Sequence, residues 1–155
     1  MPHIVERDWI TAAGFRAACL LVNEGSHRCG YVEVPKDHPL HGVSYNENAP
    51  VLAEAWVKAK EGPVGDRGVV TLLLSAFNDG EFRPEFVFDV HGSLTYSGGG
   101  GGYPVESDGW WFGFDCAHYG DATKYDGSGH CWTEEEVVEQ CESLANQIAK
   151  AVPQP

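Results

Sequence analysis

Two short apolar runs facing each other across a polar turn begin the pattern. Residues 17–22 form the first run, Asn23-Glu24-Gly25-Ser26 supplies turn chemistry, and Cys29 to Val34 returns with alternation. The stretch 17–34 therefore reads as a β-hairpin. Residues 35–45 hold two prolines, two histidines and a glycine, which makes them a loop. Pro50 suits a first helical position behind Asn48 or Ala49. Val51, Leu52, Ala55, Trp56 and Ala59 then recur at helical spacing until Gly62-Pro63 stops them. Residues 69–77 are strongly apolar and fit a central strand. Asn78-Asp79-Gly80 turns it back toward a second strand over 84–90, where Phe86, Phe88 and Val90 alternate.

Gly98 to Gly102 are five consecutive glycines followed by Tyr103-Pro104. Such a run loses much entropy on ordering and has no side chains to pack, so a flexible loop is predicted over 97–108. Trp110 to Phe114 is a last aromatic strand. The final element is the clearest. Thr133 and Glu136 make a capping box, and Val137, Val138, Cys141, Leu144, Ala145, Ile148 and Val152 form one apolar stripe that ends near Ala151, before Pro153. Together these elements predict a single α+β domain over 1–155, with one small antiparallel or mixed sheet and two helices packed on it.

Charge narrows the function classes. Ten basic against twenty-three acidic residues give a formal charge of −13, with no cluster of Lys or Arg. Duplex nucleic acid, which is bound by displacing counterions from phosphates, is not the expected partner. No apolar run reaches the length of a membrane span, and no basic stretch leads into an apolar segment and cleavage site at the N-terminus. Five cysteines, an odd number without a CxxC pair, do not suit a secreted disulfide framework. A cytoplasmic protein with free thiols and no membrane association is the expectation.

Candidate chemistry concentrates in two places. Trp110 and Trp111 lead an aromatic strand into a turn that bears Asp115, Cys116, His118 and Asp121. Asp115 beside His118 makes a carboxylate-oriented imidazole, which fixes the tautomer and raises basicity. The second place is His91-Gly92-Ser93-Leu94-Thr95-Tyr96, where a histidine leaves a predicted strand beside a glycine and two hydroxyls follow. On this reading His91, Asp115 and His118 are catalytic, and Arg28, Thr95, Tyr96, Trp110, Trp111 and Asp121 bind the ligand. His91, Asp115, Cys116 and His118 have donor types suited to a divalent metal. No strong local metal spacing such as HExxH is present, so the expected state is without a cofactor. Cys116 with His118, and Ser93 with His91, are weak nucleophile pairs, and no GxSxG elbow occurs.

Three blocks carry a resemblance. His27-Arg28-Cys29-Gly30-Tyr31-Val32, His91 to Tyr96, and Trp111 to His118 with Gly120-Asp121 resemble a family of small proteins of bacteriophages and prophages, over most of the chain from about Gly14 onward. The family often has a second glycine where this chain has Ser93. The resemblance implies no particular activity. It implies a broad class, small phage proteins that counter host defences, some by sequestering or cleaving nucleotide-derived immune signals. Three functions follow as expectations. The leading one is a hydrolase acting on a phosphodiester or related bond of a nucleotide-like substrate. The second is a non-catalytic sponge for such a ligand, and the third is an interaction module that inhibits a host protein.

Overall fold

The structure is a computed structural model that describes residues 3–22, 27–52, 82–99, 101–116 and 132–152. Among these residues five strands, β1 (His3–Ile10), β2 (Arg16–Val22), β3 (His27–Val34), β4 (Tyr96–Gly99) and β5 (Trp110–Asp115), form one sheet in the order β1-β2-β3-β5-β4. Every neighbouring pair is antiparallel. A single helical turn, α1 (Pro84–Val87), precedes the long helix α2 (Glu134–Ala151), which packs against β2 and β3. No helix of the described residues is long and apolar enough to cross a membrane.

The pleat gives the sheet two buried faces. Ala17, Cys19, Val32, Val34, Phe112 and Phe114 point to the helix face, where they meet Val137, Cys141, Leu144, Ala145 and Ile148 of α2. Ala18, Leu20, Val22, Cys29, Tyr31 and Trp111 point the other way, toward Tyr96, Tyr103 and Val105. Burial on both sides is why residues 17–20 read as a continuous apolar run instead of an alternating one. Gly30 sits under the helix. A Cβ there would meet the Phe114 ring at 2.5 Å and Cys141 Sγ at 2.8 Å, so only glycine lets α2 approach this closely. The capping box forms as expected, with Thr133 Oγ1 accepting from the Glu136 amide and Glu136 accepting from the Thr133 amide.

β1 is joined to the helix through a bulge. Pairing with β2 runs from His3 to Val5, skips Glu6, and resumes at Arg7. The extra residue turns Glu6 and Arg7 to the same face. Glu6 then accepts from Arg28 Nε at 2.6 Å and Nη2 at 3.2 Å, while Arg28 Nη1 donates to the Trp132 carbonyl at 2.8 Å. Arg7 pairs with Glu134 in the first turn of α2 at 2.6 Å. Glu142 completes the attachment by accepting from the Trp9 indole at 2.7 Å and the Ala12 amide at 2.9 Å.

Several expectations are corrected. Residues 84–87 are helical, because Pro84 occupies N1 with its φ already helical and Glu85 suits the first turn. The apolar spacing there serves a turn and an extended exit, through which Val87, Phe88 and Val90 reach the core. Among the described residues one long helix packs on the sheet, not two. The expected helix at Pro50 appears as the 3₁₀ turn Pro50–Leu52, and its remainder lies outside the described residues, as do the strand expected at 69–77 and the turn at 23–26. Ser97, Gly98 and Gly99, placed in a flexible loop, belong to strand β4 and pair with Phe112, Trp111 and Trp110. Backbone hydrogen bonds hold these glycines where side-chain packing could not.

The Glu6–Arg28 pair is partly buried, with side-chain exposures of 17% and 24%. Glu6→Ala removes this carboxylate from Arg28 Nε and Nη2, and chemical denaturation should show a loss of about 2 kcal/mol. A loss below about 0.5 kcal/mol, the level of an exposed pair, would mean that the bulge does not anchor β1.

Candidate functional site

α2 and the segment before it place His91. Gln147 accepts from the Asp89 amide at 2.7 Å and donates to the Asp89 carbonyl at 2.8 Å. Two helical turns back, Gln140 accepts from the His91 amide at 2.9 Å. Two glutamines on one stripe of α2 thus pin residues 89–91 along the helix. The half-buried His91 ring lies on the Trp132 ring with centroids 4.1 Å apart, just ahead of the helix cap. Gly92 and Ser93 turn the chain with φ of 69° and 71°. The Ser93 hydroxyl donates to the Glu85 carbonyl at 3.1 Å.

Asp115 is elsewhere. It stands opposite Cys29 on β3, and Cys29 and Tyr31 belong to the face turned away from α2. Alternation along β5 puts Asp115 on that same face, so the sheet lies between it and His91. The Asp115 charge is close enough to Cys29 to add to the rise in the thiol's pKa, a rise due mainly to burial. His118 and Asp121 lie outside the described residues.

Tyr96 joins a cluster on Asp115's face. The rings of Tyr31, Tyr96 and Tyr103 meet edge to face with centroids 5.4 to 5.5 Å apart, and His3 meets Tyr103 in the same way at 5.3 Å. The Tyr31 and Tyr103 hydroxyls hydrogen-bond each other. Gly113 makes room for this, since a Cβ there would run into the Tyr31 ring. Burial raises the pKa of all three phenols, which keeps them neutral and able to donate. Tyr31 is buried, whereas Tyr96 and Tyr103 are partly open to solvent.

The remaining ligand-binding candidates divide between the two faces. Trp110 packs on the helix-side core and donates to the Val43 carbonyl at 2.8 Å. Trp111 is on the other face, only 1% exposed, with its indole on Ser107 Oγ at 2.9 Å and the Arg16 guanidinium over its ring. It is core, not a wall on which a ligand stacks. Arg28 is held by Glu6 and the Trp132 carbonyl. Thr95 is exposed and donates its amide to the Gly113 carbonyl. Cys116, weighed as a nucleophile, is 1% exposed in the helix-side core. Among the described residues no group of three or more His, Cys, Asp or Glu is placed to hold a metal ion.

The chain matches no protein-family model, no curated protein and no solved structure.

Sequence reasoning missed Tyr31, His3 and the two glutamines; Tyr103 was expected beside a ligand because it follows the glycine run. Tyr31 looked like one more alternating strand residue. Gln140 and Gln147, on α2, recur seven residues apart, two helical turns, and that spacing alone marked them as sharing a stripe.

Two outcomes are expected here. Residue 93 is left-handed, a backbone region that favours glycine, so Ser93→Gly should exceed Ser93→Ala in stability by about 1 kcal/mol. Both variants lose the hydroxyl, so equal melting points would refute the left-handed turn. The four described cysteines are free and buried, and burial pushes Cys19 and Cys29 up to about 12. At pH 8 a thiol reagent should leave Cys19, Cys29, Cys116 and Cys141 unmodified in the native protein and label all four after denaturation. Rapid native labelling of any of them, read by peptide mass, contradicts this.

Proposed function

We propose that the protein binds a nucleotide-like small molecule at the tyrosine cluster opposite α2 and retains it without cleaving it. The observation that carries this reading is the grouping of Tyr31, Tyr96 and Tyr103, with His3 against Tyr103 and Asp115 on the same face. Edge-to-face rings with neutral hydroxyls suit an aromatic base, which they can stack on and donate to. With a net charge of −13, recognition through the base is favoured over recognition through phosphates. The likeness of the 91–96 and 111–118 blocks to phage and prophage proteins supports sequestration of a nucleotide-derived immune signal as the biological role. The hydrolase reading requires His91 and Asp115 to share one cleft, whereas Asp115 lies on the face turned away from α2 and His91 is held on the side of α2.

Calorimetry with cyclic dinucleotides and ADP-ribose tests the proposal. Binding is expected with at least one of them, and the ligand should be recovered intact after heat denaturation. Tyr96→Ala should weaken that binding at least about fivefold, as the loss of a stacking partner worth about 1–3 kcal/mol requires. His91→Ala should leave affinity unchanged. New products would establish the hydrolase, and absence of binding to every ligand would favour a protein partner.

A further inference from the structure

Edge strands with apolar side chains are usually shielded by charge, shortness or a bulge. β1 has eight residues, no described strand pairs with its outer edge, and Ile4, Val5 and Ile10 are 61%, 41% and 65% exposed. Its bulge does more than shield. Cross-strand partners assign His3, Val5, Asp8 and Ile10 to the face of Val22, Leu20, Ala18 and Arg16. Ile4, Arg7 and Trp9 share the face of Leu21, Cys19 and Ala17, with Glu6 turned to that side by the bulge.

We propose that β1 pairs antiparallel with β1 of a second copy about a two-fold axis perpendicular to the sheet, joining two five-stranded sheets edge to edge. Paired residues must then share a face. An axis through Glu6 fails, because it sets Val5 against Arg7 across faces. An axis through Arg7 fails too, because it sets Glu6 against Asp8, two like charges on different faces. With the axis between Glu6 and Arg7, His3 meets Ile10, Ile4 meets Trp9, Val5 meets Asp8 and Glu6 meets Arg7, each pair on one face. Opposite charges face each other twice, and no like charges do. Arg7, 42% exposed beside Glu134, keeps donors for the second copy's Glu6. A regular strand cannot match this edge over its full length, whereas a copy carrying the same bulge can. The occupant is therefore a second copy of this chain.

Sedimentation equilibrium of the full chain between about 1 and 100 µM should reveal a species of twice the 16.9 kDa chain mass. Ile4→Lys with Ile10→Lys should shift it to monomer with unchanged circular dichroism. The register is read separately by a His3→Cys/Ile10→Cys double variant, expected to form an interchain disulfide on mild oxidation while neither single variant does. A monomer at 100 µM, a dimer that survives the two lysines, or cross-linking by a single variant would overturn the proposal. None of these outcomes depends on the ligand.

Discussion

The pleat of a sheet covered on both faces is the constraint on which the rest of this structure depends. Successive residues of β5 must go to opposite sides, so Trp110, Phe112 and Phe114 serve the core under α2 while Trp111 serves the other face. Residues 110–116, which look like part of one functional cluster in the sequence, are therefore dealt out to two environments. Asp115 goes with Cys29 and Tyr31, and Cys116 goes with the helix-side core. His91 belongs to the helix side because two glutamines of α2 hold it there.

Among the described strands, the bulge at Glu6 is the one interruption of that alternation, and it is used. By turning two consecutive charged residues to the helix side, it connects β1 to β3 through Arg28 and to α2 through Glu134. The Trp132 carbonyl, just ahead of the helix cap, accepts from Arg28, and the Trp132 ring supports His91. One local irregularity thus ties together the edge strand, the start of α2 and the placement of a candidate site residue. The same irregularity gives the outer edge of β1 a pattern that a copy of itself can match.

The tyrosine cluster draws on three separated parts of the chain: β3 gives Tyr31, β4 gives Tyr96 and the segment after the glycines gives Tyr103. Pairing of β4 with β5 makes the meeting geometrically simple. It sets Tyr96 beside Gly113, whose missing side chain leaves space for Tyr31. The glycines expected in a flexible loop thus begin within β4, and Tyr103 follows them.

Local pattern alone determined much of the scaffold. The hairpin of β2 and β3, strand β5 and α2 with its capping box and buried stripe were legible because each is specified by neighbouring residues, through turn chemistry, alternation or the 3.6-residue period. Strand β4 was not legible, since glycines acquire strand structure only from a partner's hydrogen bonds. Strand β1 was not either, because an exposed edge with a bulge lacks the alternation that marks a buried strand. Residues 84–90 misled because a proline-started helical turn and its extended exit can also space apolar residues evenly. For the site, the sequence identified residue types and strand ends, including Tyr96 and Asp115. Which of them share a face was decided by tertiary structure alone, because facing depends on strand register and on which side the helix lands, and both are set by contacts between segments far apart in the chain.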